Sequence, residues 1–293
     1  MTIREAEQIM RVFESNESPD PDEIFTYTEA AGFLIEKTHD PRAMMSLGGY
    51  YYGARDYDLA LKYYEMAAEY KYIPAYECLG YVWYYGRTGV KDYEKAFHYF
   101  TLGKEAGHLV SAYKLADMYR NGYYVEKDTD KYREIIEELY ERVKGLRDVF
   151  DPVPEVFTRL AKIRTEQGEI KEAVRLYFYA RDFLAQRIMY NHFFGNLSIM
   201  KWLIHDLYQL IAPDPDPGDL YDLYHFLERP CLITFMYDGE THEVEAAEEE
   251  DGTIAIRFDE NWYRDPDSFF NKARLDDDWL TSQYGSLYDF EVK

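Results

Sequence analysis

Positive charge, cysteine and long apolar runs are all scarce in this sequence of 293 residues. It has 33 Lys and Arg against 56 Asp and Glu, which gives a formal net charge of −23. Residues 214–293 hold 22 of the acidic and 6 of the basic residues, so this part alone carries −16. Binding to nucleic acid or to an anionic membrane surface depends on Lys and Arg. We therefore expect neither nucleic acid nor a membrane as a partner.

The two cysteines, Cys78 and Cys231, are far apart and form no CxxC motif, so they predict neither a disulfide framework nor a zinc site. No window approaches 18 uninterrupted apolar residues, the length that would suggest a transmembrane helix. The first ten residues, MTIREAEQIM, have no apolar stretch of the kind found in signal peptides. We therefore expect a reducing, cytoplasmic location.

Catalytic and metal-binding motifs are also missing. No pair among the seven histidines has HxxxH or HExxH spacing, and no serine lies in a G-x-S-x-G motif. The acidic runs EEED (248–251) and DDD (276–278) lack the ligand spacing of an EF-hand, and we interpret them as solvated surface. The sequence therefore predicts no catalytic residue, no cofactor and no metal site.

Tyrosine, by contrast, is abundant, with 31 residues, and many of these lie in a repeated pattern. The stretches MSLGGYYYG (45–53), ECLGYVWYYG (77–86) and YKLADMYRNG (113–122) each have a Leu, a small residue and an aromatic-rich end closed by Gly. A second stretch with helical periodicity follows each of them, and a fourth unit of the same form surrounds Leu160. The pattern predicts a series of helical hairpins.

The spacing inside each unit has a physical reason. Leu47 is followed at +13, +17 and +20 by Ala60, Tyr64 and Ala67, which lie on one stripe of the second helix. Small residues there allow two antiparallel helices to approach closely. The equivalent stripe after Leu160 is Ala173, Tyr177 and Ala180. After Leu79 the stripe is displaced by four residues and consists of Ala96, Phe100 and Gly103.

Residues 75–112 resemble the Sel1-like repeat, a relative of the tetratricopeptide repeat. The matching residues are Leu79, Gly80, Tyr84, Gly86, Gly89, Val90, Asp92, Lys95, Ala96, Tyr99, Ala106, Gly107, His108 and Ala112. Residues 43–75 and 156–180 look like plain tetratricopeptide units, and the third unit departs from the pattern with Tyr132 at a small-residue position. The resemblance implies a mainly α fold, an α-α superhelical solenoid within residues 1–212. Its repeats are expected at about 43–74, 75–111, 112–145 and 156–190, with capping helices around them.

The loop GRTGVKD (86–92) has two glycines and a lysine, as phosphate-binding loops do. A Walker loop, however, needs four residues between its glycines and a Ser or Thr after the lysine, and it follows a strand. Here Gly86 stands where a helix would end and Asp92 where the next helix would be capped. We therefore predict a connecting turn.

The pattern changes after the solenoid. PDPDPGD (213–219) reads as a linker, and a short helix is predicted before residue 229. From residue 230 the hydrophobic period becomes two, with a DG turn between two alternating runs. We expect residues 230–293 to form a small, acidic, β-rich α+β domain, which resembles no family that we recognise.

The free face of each first helix is the place where a partner would bind. At about 100° per residue, positions −5, −2, +2 and +5 from each Leu point away from the neighbouring helices, and stacked units turn them into a concave wall. Tyr and Arg are enriched in binding hot spots. The predicted partner-binding residues are Arg42, Met45, Tyr52, Glu77, Tyr81, Tyr84, Tyr113, Asp117 and Arg120.

The sequence thus favours a non-catalytic scaffold that binds a protein or peptide segment on the concave face of the solenoid. Two alternatives stay open. The chain could be an enzyme or enzyme regulator, with a site between the solenoid and the C-terminal domain near Asp276, Asp277, Asp278 and Trp279. It could also mimic a polyanion through residues 214–293 and block a basic partner.

Overall fold

The computed structural model describes residues 1–16, 19–146, 152–211 and 216–293. These form two compact units, Met1–Ile135 and Ile136–Lys293, which we treat one at a time. The boundary predicted near residue 213 lies outside the described residues. Among the described residues, no helix has both the length and the apolar character needed to cross a membrane.

The first unit is built from helices that pack on one another in chain order. Most begin at a side-chain cap, and Asp20, Asp40, Asp56 and Asp92 each accept a hydrogen bond from a backbone N–H in the first turn of the helix that follows. The helices are α1 (Ile3–Glu14), α2 (Pro21–Thr38), α3 (Pro41–Gly53), α4 (Tyr57–Glu69), α5 (Ile73–Tyr85), α6 (Tyr93–Glu105), α7 (Leu109–Asn121) and the first half of α8 (Thr129–Val143).

The predicted hairpins are confirmed as the pairs α3–α4 and α5–α6. The stripe residues Ala60, Tyr64 and Ala67 on α4 are buried, as is Leu47 on α3. On α6 the equivalent residues Ala96, Phe100 and Gly103 are buried as well. In the third repeat Tyr132 is only 5% exposed, so the departure from the pattern adds a buried ring to the core of this repeat.

The loop between α5 and α6 is a connecting turn, as predicted. Gly86 ends α5 with φ 65°, a left-handed conformation that favours glycine. The backbone N–H of Arg87 donates to the carbonyl of Val82 (3.0 Å), which satisfies one of the last acceptors of the helix. At the other end Asp92 Oδ1 accepts from the N–H of Lys95 (3.0 Å) and caps α6.

The second compact unit starts with the rest of α8. The hairpin predicted around Leu160 follows, formed by α9 and α10. Leu160 on α9 and Ala173, Tyr177 and Ala180 on α10 are buried on the predicted stripe. A helix and two short helical turns follow this hairpin. The elements are α9 (Val153–Glu166), α10 (Ile170–Tyr190), α11 (Phe194–Tyr208), a 3₁₀ turn (Leu220–Asp222) and α12 (Leu223–Phe226).

The predicted β-rich region is a five-stranded antiparallel sheet in the order β4-β3-β2-β1-β7. The DG turn forms the hairpin between β1 and β2, with Tyr237 opposite Glu240 and positive φ at Asp238 and Gly239. The short strands β4, β5 and β6 were not predicted. The elements are β1 (Cys231–Tyr237), β2 (Glu240–Glu248), β3 (Ile254–Phe258), β4 (Asn261–Tyr263), α13 (Pro266–Lys272), β5 (Arg274–Leu275), β6 (Asp278–Trp279), a second 3₁₀ helix (Leu280–Ser286) and β7 (Tyr288–Val292).

One face of this sheet is apolar and covered. Alternate residues of β1 such as Ile233 and Phe235 are buried, and α13 places Phe269 and Phe270 among the buried residues. The ring of Tyr224 on α12 stacks on Phe270 with 3.7 Å between centroids. The short helix predicted before residue 229 thus packs on the helix that covers the sheet.

Candidate partner-binding surface

A single lysine lies among four tyrosine rings where α5 meets α7. Lys114 Nζ is 5.1 Å from the ring centroid of Tyr81, 5.9 Å from Tyr84, 5.8 Å from Tyr85 and 5.3 Å from Tyr113. It also donates a long hydrogen bond of 3.5 Å to the hydroxyl of Tyr85. Cations are attracted to the faces of aromatic rings, so Lys114 holds these rings in one cluster.

A second cation extends this cluster toward the first repeat. The guanidinium carbon of Arg87 lies 5.2 Å from the ring centroid of Tyr85 and 5.8 Å from that of Tyr52. Arg87 is exposed and the ring of Tyr85 is 42% exposed, so this side of the cluster faces solvent. We call Tyr81, Tyr84, Tyr85, Arg87 and Lys114 the tyrosine surface.

Two of the predicted binding residues lie beneath this surface. The structure leaves Tyr113 only 7% exposed and Asp117 only 5% exposed, so neither side chain is accessible to a partner. Asp117 pairs with Arg120 at 3.7 Å. Burial raises the pKa of Tyr84, and the nearby Asp117 carboxylate raises it further. Tyr84 therefore stays a neutral hydroxyl at physiological pH.

Neighbouring rings hold Tyr81 and Tyr84 in place from below. Both lie edge-on to the buried ring of Phe100, with centroids 6.0 and 6.2 Å away. Tyr84 also packs edge-on against Tyr93 and Tyr123, which stack on each other at 4.5 Å. Edge-to-face pairs at these distances are favourable, so packing stabilises the positions of both rings.

The remaining predicted residues make local contacts. Arg42 forms an ion pair with Asp40 (2.8 Å) and lines a charged cleft of about 300 Å³ with residues of α1. The Glu77 carboxylate lies 3.5 Å from the imidazole of His108, whose pKa burial lowers. Met45 is half-buried and packs against the core. These three residues therefore lie outside the tyrosine cluster. Of the nine predicted residues, four contact the cations of that cluster: Tyr81, Tyr84 and Tyr113 contact Lys114, and Tyr52 contacts Arg87.

The region proposed for the rival enzyme site holds a stacked indole. The ring of Trp279 lies between the imidazole of His192 (4.5 Å between centroids) and the guanidinium of Arg274 (4.1 Å). His192 also makes hydrogen bonds with the hydroxyl of Thr281 (2.7 Å) and the carbonyl of Asn271 (3.2 Å). These contacts join the end of α10 to the C-terminal region.

The acidic run beside Trp279 is tied to its neighbours by hydrogen bonds. The hydroxyl of Tyr237 donates to Asp276 Oδ2 (3.2 Å), and the amide of Gln283 donates to Asp278 (3.4 Å). In the described ranges, three or more His, Cys, Asp or Glu side chains nowhere converge as a metal ion would require.

Comparison with known protein families assigns the repeats. The family model described as the Sel1 repeat matches three segments, residues 41–69, 76–108 and 109–131. These segments are Sel1 repeats. They correspond to α3–α4, α5–α6 and α7 with the first residues of α8. No curated protein sequence matches the chain.

A solved structure with a similar fold is that of a Sel1 repeat protein. A Sel1 repeat protein from Oxalobacter formigenes is 20% identical over 77% of this chain and 84% of its own, with a TM-score of 0.57. A protective antigen from uropathogenic Escherichia coli strains, described as displaying an SLR fold, is 22% identical over 70% of this chain. Its TM-score is 0.49, and the chain spans only 41% of its length. The likeness to the Oxalobacter formigenes protein concerns the fold alone.

The tyrosine surface lies in the second and third Sel1 repeats, and three of its residues were missed from sequence. Tyr85 is six residues after Leu79, and Lys114 is one residue before Leu115, so both fall just beside the predicted stripe at about 100° per residue. Arg87 lies in the loop that was read only as a turn. A tyrosine doublet beside a basic loop residue is the signal that could have identified them.

Proposed function

We propose that this chain is a non-catalytic scaffold that binds a protein or peptide segment on the tyrosine surface of its second and third Sel1 repeats. The observation that carries the proposal is the cluster of four tyrosine rings within 5.1 to 5.9 Å of Lys114 Nζ, with Tyr85 open to solvent. Rigid aromatic side chains bury much apolar area at little entropic cost, and their hydroxyls keep a hydrogen-bonding end.

The arrangement fits an extended segment or a helix laid across the first helices of two repeats. Tyr81, Tyr84 and Tyr85 come from α5, Lys114 from α7 and Arg87 from the connecting loop, so a partner would span three elements at once. Stacked repeats commonly present such surfaces to other proteins. Because the rings already pack on Phe100 and on one another, binding would need little reordering.

Site-specific photo-cross-linking in the source cells tests this proposal. A photoreactive phenylalanine replaces Tyr85 in one full-length variant and Tyr70 in a matched control, because Tyr70 is 50% exposed and lies at the end of α4. We expect discrete cross-linked proteins from position 85 that are absent from position 70. Adding Tyr81→Ala should remove them.

Equal cross-linking at both positions, or products at 85 that survive Tyr81→Ala, would contradict the proposal. The melting temperature of each variant must be measured as well, because Tyr81 also packs on Phe100. If Tyr81→Ala unfolds the repeat, the test uses Tyr85→Ala instead, since Tyr85 is the most exposed of these rings. This variant should compete less well than the wild type for binding to the cross-linked partner.

A further inference from the structure

The charges on the tyrosine surface point to the chemistry of the partner. Arg87 and Lys114 flank the exposed ring of Tyr85 at 5.2 and 5.8 Å. Within the part of the chain that the structure describes, no carboxylate oxygen lies within 4.0 Å of a side-chain nitrogen of either residue. No ion pair among the described residues therefore neutralises either charge, and both are available to an anionic ligand.

Two other cations that lie over aromatic rings in the same unit, Lys95 and Arg120, have carboxylate partners, whereas Lys62, which lies over Tyr63, has none among the described residues. Lys95 lies 3.8 Å from the ring centroid of Trp83 and also pairs with Asp92 at 3.6 Å. Arg120 lies over Tyr132 and pairs with Asp117 at 3.7 Å. On the tyrosine surface the rings partly compensate the charges of Arg87 and Lys114. The side-chain N–H groups of these two residues that face solvent can donate hydrogen bonds to a ligand.

The surrounding repeats do not oppose an anionic ligand. Residues 41–131, which span the three Sel1 repeats, contain 12 basic and 12 acidic residues, so their net charge is zero while the whole chain carries −23. At physiological ionic strength, exposed charges more than about 8 Å away are largely screened. The exposed charges nearest to the tyrosine surface are therefore Arg87 and Lys114, while the buried Asp117 beneath it is paired with Arg120.

We infer that the segment bound on the tyrosine surface is acidic, with Asp or Glu carboxylates that pair with Arg87 and Lys114 and an apolar side chain against Tyr81 and Tyr84. This inference rests on the proposed function and names the chemistry of its partner. Charge-assisted hydrogen bonds from guanidinium and ammonium groups to a carboxylate are about twice as strong as neutral ones. The cations thus select the partner, and the tyrosine rings supply contact area.

A displayed library of random 12-residue peptides, selected on the full-length protein, tests the inference. We expect the selected peptides to be enriched in Asp and Glu relative to the unselected library. A representative acidic peptide should bind Arg87→Met/Lys114→Met about tenfold more weakly, because two charge-assisted contacts are lost. The control Lys62→Met/Lys127→Met removes the same charge from exposed residues elsewhere in the unit and should bind like the wild type.

Changing the peptide completes the test without relying on the variant's fold. Replacing its Asp and Glu by Asn and Gln should weaken binding to the wild type by the same factor, with little further loss on the double variant. Selected peptides that depend on Tyr81 and Tyr84 but are neutral or basic would overturn the acidic assignment and leave the proposed function standing. If no selected peptide depends on these tyrosines, both proposals fail.

Discussion

Gly80 on α5 lies directly against the ring of Phe100 on α6, and a β-carbon built at residue 80 would overlap Phe100 Cε1. The equivalent contact in the first repeat is between Gly48 and Tyr64, where the β-carbon would lie 2.5 Å from the ring. In both repeats the small residue after the leucine therefore makes room for the aromatic residue of the second helix. This contact explains why the sequence pattern pairs them.

Gly80→Ala should destabilise the protein although alanine is the better helix former. The new methyl group overlaps a fully buried ring, and overpacking of this kind costs about 1–3 kcal/mol. Gly49→Ala is the matched control, because its β-carbon would meet nothing within 4 Å and the residue lies in α3. That change should stabilise the protein by up to about 1 kcal/mol.

Urea unfolding of the two glycine variants measures the free energy of unfolding and separates the effects. The double variant Gly80→Ala/Phe100→Leu should recover part of the loss, since the smaller side chain leaves space for the methyl group. Equal stability changes for Gly80→Ala and Gly49→Ala would show that helix propensity, not the ring contact, decides at residue 80.

The hairpins could be predicted from sequence because their packing is periodic and local. Residues such as Ala60, Tyr64 and Ala67 recur at fixed distances from a leucine, and burial follows directly from that spacing. The end of α5 at Gly86 and the cap at Asp92 are likewise fixed by their own residue types. The very short strands β5 and β6 carry too few residues to show a period.

The candidate surface was less predictable, because it depends on how each helix is rotated against its neighbours. The predicted stripe contains Tyr81 and Tyr84 but misses Tyr85 and Lys114, which lie at its edge. It also includes Tyr113, which is 7% exposed. A leucine marks the core side of a helix but leaves its rotation uncertain by one side chain, and that difference decides which of two adjacent tyrosines is exposed.

Asp92→Ala should weaken the start of α6 by about 1 kcal/mol, the usual cost of losing an N-cap side chain. The lost group is the carboxylate that accepts from the N–H of Lys95. Asp92→Ser keeps an acceptor at this position and should retain most of the stability. Urea unfolding measures both, and an Asp92→Ser variant as unstable as Asp92→Ala would indicate that the ion pair with Lys95 matters more than the cap.

In the second unit, breaking the ion pair between Arg187 and Glu155 should be more damaging than replacing it. Both side chains are buried, and two hydrogen bonds of 2.6 and 3.2 Å join them. Glu155→Gln removes the negative charge that accepts both of these hydrogen bonds from the buried guanidinium, and breaking a buried pair costs about 3–5 kcal/mol. The double variant Glu155→Leu/Arg187→Met removes both charges and should lose much less, as measured by urea unfolding. A double variant less stable than Glu155→Gln would contradict this account.

The pH dependence of stability should depend strongly on Asp222, which is buried and is the last residue of the 3₁₀ turn. Burial and the adjacent Asp219 raise the pKa of Asp222 to about 6, although Arg181 lies 3.2 Å away. Arg181 is shared, since it also pairs with Asp219 at 3.1 Å and with Asp182 at 3.6 Å. One positive charge therefore serves three carboxylates, and it does not offset the burial of Asp222.

Because the pKa of Asp222 is higher in the folded protein than the ordinary value of about 3.9, its proton stabilises the fold below pH 4. That contribution is lost as the pH rises through 6, and two units of pKa correspond to about 3 kcal/mol. Asp222→Asn carries no such proton, so its stability relative to wild type should rise between pH 4 and pH 7. Urea unfolding at a series of pH values measures the difference, with the exposed Asp277→Asn as control. Parallel curves for wild type and Asp222→Asn would mean that Asp222 stays ionised across this range and that Arg181 compensates its burial after all.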